Sequence, residues 1–255
     1  MLDLIGDGTL PVEAAALLWA LLARRASIVV AAGPSGAGKT TLLTALLDFL
    51  PPGTRRLYLR GCYEPFAFLD DPTMKPDASY LLVNEISAHL PVYLWGPGVR
   101  RLLQAAGQGF GLAATMHARS TVELVQTLTG YPLRVPAAEV AAFQVAVILD
   151  AWLTAEGIRR EVRSVAALVA ADAGGLRIAD LVSRSARGGD CTHDWEAAAT
   201  LVTRPGGGFS GLERELAGRA ACLETLRSSA AIAGLSLAER LATLGQQWVP
   251  PTGMH

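Results

Sequence analysis

The sequence predicts an α/β protein with a mostly parallel sheet that helices cover on both faces. Short apolar runs alternate with helix-forming segments through about the first 130 of 255 residues, which is typical of strands joined by crossover helices. A glycine-rich turn at residues 33–40 follows the first apolar run. Because 51% of the residues are hydrophobic and only 18% are charged, the composition provides a sizeable core.

The predicted elements follow one another along the chain as a helix and then strand–helix pairs. Helices are predicted at 11–24, 41–50, 99–106 and 122–128, and strands at 27–32, 56–60, 80–84 and 111–116. Pro11 suits a first helical turn, and the run Pro51-Pro52-Gly53 ends the second helix. The loop at 61–79 is long for a compact domain, and loops of that length are often functional.

After Gly130 the pattern changes. Residues 143–149 and 158–165 are β-like, and we predict that they add to the sheet edge as antiparallel strands. We expect three parts in the chain: a P-loop domain at 1–185, a linker or mobile loop at 186–211, and a helical C-terminal extension at 212–255.

The C-terminal extension carries an apolar helical stripe and a second helix start. The stripe consists of Leu212, Leu216, Ala220, Leu223 and Leu226. It packs either on its own domain or on a neighbouring subunit. The run Ser236-Leu-Ala-Glu239 has the pattern of a capping box that opens the last helix.

Composition limits the class of protein. The net charge is −1, which argues against general coating of nucleic acid, and we find no DNA-specific signal. Neither a basic signal-peptide start nor an apolar run long enough to span a bilayer is visible, so we expect a cytoplasmic protein. The three cysteines are scattered and predict no disulfide framework. Cys191 and His193 have no second cluster to complete a metal site.

Residues 33–40, Gly-Pro-Ser-Gly-Ala-Gly-Lys-Thr, form a phosphate-binding loop between a buried strand and a helix. The glycines let backbone N–H groups turn toward a polyphosphate, and the helix N-terminus favours negative charge. Lys39 is expected to reach the β- and γ-phosphates, and the Thr40 hydroxyl to ligate Mg²⁺. The residues predicted to bind the nucleotide are Gly33, Pro34, Ser35, Gly36, Ala37, Gly38, Lys39, Thr40 and Thr41.

Two further side chains are expected at the same edge of the sheet. Glu85 directly follows the strand at 80–84, where a catalytic carboxylate would orient water and hold hydrated Mg²⁺. His117 follows the strand at 111–116, where an imidazole could bond the γ-phosphate and report its loss. The alternatives are a Glu that caps a turn and a structural His.

The order of these motifs resembles the catalytic domain of the type II/type IV secretion and pilus-assembly ATPases. Residues 8–15 are similar to the family's lead-in helix and residues 33–43 to its phosphate loop. Leu81-Leu-Val-Asn-Glu-Ile86 resembles its strand that ends in Gly-Glu, and Thr115-Met-His-Ala-Arg-Ser120 resembles its Thr-x-His-Ala-x-Ser box. The resemblance covers about residues 6–130.

The resemblance implies a RecA-like P-loop ATPase that uses ATP and Mg²⁺. It also implies a homo-oligomer, with a hexamer as the family's form, that works with inner-membrane secretion or pilus machinery from the cytoplasmic side. Of the acidic residues that follow the family's second strand, only Glu64 is carried over as a catalytic residue. Ser87 stands where the family has Arg, Asn84 where it has Gly, and no counterpart of the family's N-terminal domain precedes the lead-in helix.

Two other functions remain open from the residues. A degenerate nucleotide-binding adaptor would keep every motif and lack turnover. A P-loop phosphotransferase would share the loop, although the arginine pairs are dispersed and predict no lid. An ABC-type ATPase is disfavoured because the run Leu-Ser-Gly-Gly-Gln is absent from the sequence.

Overall fold

One eight-stranded sheet organises the computed structural model, which describes residues 1–202 and 209–228 together with Leu237 and Glu239. The strands are β1 (Ile28–Ala32), β2 (Arg55–Tyr58), β3 (Ser79–Ile86), β4 (Gly111–His117), β5 (Val145–Thr154), β6 (Gly157–Ala170), β7 (Leu176–Arg184) and β8 (Cys191–His193). The helices are α1 (Leu2–Gly6), α2 (Val12–Ala23), α3 (Lys39–Leu47), α4 (Pro97–Ala106), α5 (Thr121–Thr129), α6 (Ala137–Val140), α7 (Trp195–Val202) and α8 (Phe209–Ser228).

The strand order is β2-β3-β4-β1-β5-β6-β7-β8. The first five strands pair in parallel, and β5 to β8 pair antiparallel. Strand β1 lies between β4 and β5, with Ile28 opposite both Ala113 and Val145. The carboxyl ends of β1, β3, β4 and β5 therefore share one edge of the sheet, where ligands of such sheets bind.

The five residues of β1 are all buried and alternate between two hydrophobic clusters. Ile28, Val30 and Ala32 belong to a cluster with α2, α3 and α8. Val29 and Ala31 belong to a cluster with α4 and α5 on the opposite face. This explains why β1 reads as a continuous apolar run rather than an alternating one.

The predicted fold class is confirmed as an α/β fold with helices on both faces of a mostly parallel sheet. The RecA-like P-loop class is of this type. The predicted strands and helices up to residue 130 are all present, and β5 and β6 add antiparallel strands as expected, although both run longer than predicted.

Three parts of the chain differ from the sequence-based expectation. Helix α1 and strand β7 were not predicted, and β7 extends the sheet beyond β6. Residues 186–211, predicted as a linker or mobile loop, instead include β8, which pairs with β7, and α7, whose Ala198 is buried. The capping box at Ser236 and most of the helix that it opens lie outside the described residues.

Helix α8 packs on the chain's own core. Leu212, Leu216, Leu223 and Leu226 are buried in the same cluster as α2. Arg24 and Arg219 both bind Glu215, which connects α8 to the end of α2. Of the two placements open for the apolar stripe, the structure therefore shows packing within the chain.

A search of the helices within the described ranges finds none that combines the length and the hydropathy needed to cross a bilayer.

Candidate functional site

The phosphate loop joins β1 to α3 through two glycines in the left-handed region. Gly36 has φ +73° and Gly38 has φ +96°, a backbone in which a side chain would be strained. Gly38 is also the N-cap of α3 and offers no side-chain acceptor to the first helical turn. The N–H groups at this helix end are therefore left to an external acceptor, which is the basis of anion binding at helix N-termini.

Lys39, the first residue of α3, is buried between a side chain of β3 and a side chain of β4. Its Nζ lies 3.4 Å from Glu85 Oε2 and 3.4 Å from His117 Nε2. Lys39 is 7% exposed and Glu85 is 8% exposed. A buried ammonium and a buried carboxylate thus neutralise each other directly behind the loop.

Glu85 reaches this position because β3 is irregular at its carboxyl end. The register with β4 shifts between Val83 and Ile86, so Glu85 and Ile86 are both buried while Asn84 is exposed. The Thr115 hydroxyl donates to the Asn84 carbonyl at 2.5 Å and fixes the irregularity on β4. Glu85 lies within the strand, one residue before its end, whereas the sequence placed it just after the strand.

His117 is the last residue of β4, opposite Ala32. Its Nδ1 lies 3.4 Å from the Gly33 carbonyl oxygen, and its Nε2 lies 3.2 Å from Glu85 Oε1. Nε2 therefore lies between the Lys39 ammonium, which can only donate, and the Glu85 carboxylate, which can only accept, while Nδ1 faces the Gly33 carbonyl. Lys39, Glu85 and His117 therefore meet as three mutually contacting groups.

Two arginines contact the glycines of the loop. A Cβ atom at Gly33 would lie 2.5 Å from Cγ of Arg119, so only glycine allows this approach. Arg160, in β6, donates to the Gly36 carbonyl at 3.4 Å. Both cations lie beside the loop and add to its positive character.

A cavity of about 360 Å³ adjoins the loop on the β5 side. Its lining includes Gly33, Arg119, Arg163 and Arg187. Arg187 pairs with Asp150 at 2.9 Å, and this hydrogen bond raises the pKa of Arg187. No described residue accepts a hydrogen bond from the guanidinium of Arg119, which is the cation of this cavity that is best placed to meet a ligand.

The remaining predicted site residues have different surroundings. Pro34, Ser35, Thr40 and Thr41 are exposed, whereas Ala37 is buried. Glu64 accepts hydrogen bonds from the backbone N–H groups of Arg60 and Phe66, at 2.9 and 3.0 Å. No hydrogen bond or ion pair among the described residues joins Glu64 to the other three candidates for catalysis, so the structure does not bring Glu64 into that group.

Sequence reasoning missed His89 and Arg160. His89 lies in the turn after β3, and its ring centroid is 5.9 Å from that of His117. Arg160 reaches the phosphate loop from β6, the second strand of the β5–β6 hairpin. The only sequence signal for His89 was its place four residues after the predicted catalytic Glu85. The position of Arg160 depends on the length of the hairpin, which the sequence did not predict.

Comparison with models of known protein families gives no match, and comparison with curated proteins gives none. Among solved structures, the chain is similar to the crystal structure of the VirB11 ATPase from the Brucella suis type IV secretion system in complex with sulphate. The two are 20% identical with a TM-score of 0.44, over 61% of this chain and 57% of that one. The chain therefore spans little more than half the length of that structure.

Proposed function

We propose that this chain binds Mg²⁺-ATP and hydrolyses it, as a motor ATPase of the secretion and pilus-assembly type. The observation that carries the proposal is the convergence of Lys39, Glu85 and His117, from three separate segments, behind a phosphate loop. A glycine-rich turn alone would not explain why a buried cation, a carboxylate and an imidazole meet at its base.

Lys39 is the cation that takes up the β- and γ-phosphates. In the nucleotide-free chain its charge is balanced by Glu85. A bound polyphosphate replaces that carboxylate as the partner of the ammonium, which releases Glu85 to orient water. Positioning and charge stabilisation of this kind supply most of the catalysis in phosphoryl transfer.

The residues present fit a magnesium ion. Glu85 Oε1 is buried, and no described residue donates a hydrogen bond to it. Such an orphaned acceptor suits a water molecule of a hydrated Mg²⁺, and the exposed Thr40 hydroxyl suits direct ligation. When bound, the ion neutralises the charge that develops on the phosphate oxygens.

His117 is the residue that distinguishes the nucleotide states. Its Nε2 accepts from Lys39 in the nucleotide-free chain. Once Lys39 turns to the phosphates, a protonated Nε2 can donate to the γ-phosphate, and hydrolysis removes that partner. A contact present in one state and absent in the other is what a conformational switch requires.

Glu64 has a positioning role in this proposal. Its carboxylate accepts two backbone hydrogen bonds within its own turn, and a carboxylate held in this way shapes the loop at 61–66. The resemblance implies a catalytic Glu at this position, which would require those bonds to break on nucleotide binding.

Substitution of Glu85 tests the proposal. Glu85→Gln should lower kcat by about 100-fold or more and leave Mg²⁺-ATP affinity within a few-fold, because a water-orienting group acts mainly in the transition state. Glu156→Gln, in the exposed turn between β5 and β6, is the matched control and should behave as wild type. Calorimetry and steady-state phosphate release are the measurements.

Loss of affinity with retained turnover would refute this role of Glu85. A wild type that binds ATP without turnover would be a nucleotide-binding adaptor.

The arginine-lined cavity favours a second candidate, a P-loop phosphotransferase. A volume of about 360 Å³ is enough for a small anionic acceptor. Phosphate release in buffer without any acceptor supports the ATPase. ADP formation that depends on an added nucleoside monophosphate would support the phosphotransferase.

Partners and location follow from the sequence resemblance alone. We propose a homo-oligomer, with a hexamer as the expected form, that acts with secretion or pilus machinery at the inner face of the membrane. Since α8 covers its apolar stripe with α2, the subunit contact has to use another surface.

A further inference from the structure

Two imidazoles and one carboxylate meet at the carboxyl ends of β3 and β4. Ligand atoms of Glu85, His89 and His117 all lie within 4.8 Å of one another. His89 is exposed, its backbone N–H donates to the Ser87 hydroxyl at 3.2 Å, and its ring centroid lies 5.9 Å from that of His117. The proposed nucleotide chemistry gives no role to His89.

The closest two of these atoms are already spaced as ligands of one ion. Glu85 Oε1 and His117 Nε2 are 3.2 Å apart. Two ligands at about 2.0–2.1 Å from a tetrahedral Zn²⁺ are roughly 3.3 Å apart. The ligand atom of the exposed His89 lies within 4.8 Å of both and has to move closer to complete the site.

Each of these two atoms has one feature that suits a metal ligand. Glu85 Oε1 is buried and receives no hydrogen bond from any described residue. His117 Nδ1 faces the Gly33 carbonyl, so an imidazole that is protonated at Nδ1 offers the lone pair of Nε2 to a metal. An imidazole whose other nitrogen is held by a carbonyl is the usual arrangement of a metal-binding histidine.

We infer that Glu85, His89 and His117 form a binding site for a divalent transition metal, with Zn²⁺ as its representative. Two imidazoles select such metals over Mg²⁺, which prefers oxygen ligands. Lys39 Nζ lies 3.4 Å from His117 Nε2 and 3.4 Å from the other Glu85 oxygen, so its ammonium has to leave Nε2 and turn toward the phosphate loop when the metal enters.

A metal bound at this site would inhibit the proposed ATP hydrolysis. A metal on Glu85 Oε1 and His117 Nε2 occupies the atoms that would orient water and contact the γ-phosphate. We therefore expect Zn²⁺ to suppress ATP hydrolysis. This consequence rests on the proposed function, whereas metal binding itself does not.

Binding is measured on the full, nucleotide-free chain with Zn²⁺ by calorimetry and with Co²⁺ by visible absorption. The wild type should bind one Zn²⁺ and show the intense d–d bands of a tetrahedral Co²⁺ site. His89→Asn should lower the affinity for Zn²⁺ at least about tenfold. Loss of a residue that only hydrogen-bonds to a metal ligand already costs that much, and His89 is proposed as a ligand itself. The double variant His193→Asn/His255→Asn, which changes the other two histidines of the sequence, should bind Zn²⁺ as wild type does.

Mg²⁺-ATP binding separates this inference from the proposed function. His89→Asn should keep its Mg²⁺-ATP affinity, should keep its turnover when Mg²⁺ is in excess and a zinc-selective chelator removes Zn²⁺, and should lose the inhibition by Zn²⁺. If His89→Asn binds Zn²⁺ as well as wild type, or if the double variant loses the Co²⁺ bands, the site is not the one inferred. If the wild type binds Zn²⁺ but no ATP, the metal site stands and the proposed function fails.

Discussion

Lys39 is held by groups that a phosphate has to replace. Its ammonium contacts Glu85 and His117 at 3.4 Å, and all three side chains come from segments that only the fold brings together. The same residue therefore contributes to stability without nucleotide and to affinity with it. A single substitution mixes the two effects, and a double variant is needed to separate them.

Lys39→Ala should lower ATP affinity by about 10–100-fold, the range of a charge-assisted contact. It should also lower the free energy of unfolding by about 3–5 kcal/mol, because it leaves the Glu85 carboxylate buried without a partner. Urea unfolding and calorimetry of the nucleotide-free chain measure both quantities.

The double variant Lys39→Ala/Glu85→Gln is the control for folding. It should recover most of the lost stability, since no uncompensated charge remains, and should not recover the affinity. Equal stability of the single and double variants would show that Lys39 and Glu85 are not energetically coupled.

The sequence predicts Lys39 from the phosphate-loop motif, and Glu85 and His117 because each lies at or next to the end of an apolar run and parallel strands end at one edge. It does not predict that Glu85 turns inward, since this depends on the register shift beyond Val83. Arg160 could not be predicted, because its position follows from a hairpin that carries no local signal. His89 lies in a turn, and its place four residues after Glu85 was its only signal in the sequence.

At the scale of elements, the contact between α2 and α8 depends on one carboxylate as well as on apolar packing. Arg24 donates to both oxygens of Glu215, at 2.9 and 2.7 Å, and Arg219 donates from one turn away. The Arg219 guanidinium also lies 4.5 Å from the centroid of the Trp19 ring. Burial raises the pKa of Glu215, but the hydrogen bonds from both arginines outweigh this, and the pKa lies below its ordinary value of 4.5.

Glu215→Gln should therefore destabilise the chain by about 1–3 kcal/mol at pH 7. Since the pKa is lowered on folding, this contribution is fully present above the unfolded value near 4.5 and is lost as the pH falls through the folded value. The difference between wild type and variant should thus be constant from pH 7 to about pH 5 and vanish in stronger acid.

Glu224→Gln, on the same helix, is the matched control because Glu224 and its partner Arg227 are each 43% exposed. It should change the stability by less than about 0.5 kcal/mol. A stability difference between wild type and the Glu215 variant that does not shrink as the pH falls below 4.5 would contradict the role given to the ion pairs.

Which elements could be predicted depends on how they are buried. Strands β1, β3 and β4 are covered on both faces and read as apolar runs. Strand β7 has only two buried residues, Leu181 and Val182, and β8 has none, so neither carries a hydropathy pattern. The edge of β6 offers backbone partners to β7, and the edge of β7 offers them to β8.

At the scale of the whole molecule, the surface available for self-association is smaller than the composition implied. A mean hydropathy of +0.33 and the stripe on α8 both favour a subunit interface from the sequence. The structure uses the stripe internally. More of the apolar residues than expected are therefore buried within the chain, in the hydrophobic clusters on the two faces of the sheet.

The proposed oligomer is tested by light scattering with and without Mg²⁺-ATP. We expect a larger particle with nucleotide, because the resemblance places nucleotide near the subunit boundary. Leu226→Ala should reduce stability without changing the particle size, since this side chain is fully buried within the chain. A monomer in both states would reject the oligomer.

The central place of β1 also has a consequence for synthesis. Its residues pair with 113–117 and 145–149, so an entirely apolar strand leaves the ribosome more than 100 residues before its last partner does. At ordinary elongation rates that interval is of the order of ten seconds. A nascent chain that stalls before Val145 exposes one edge of β1, the kind of segment that chaperones bind and that aggregates when they do not.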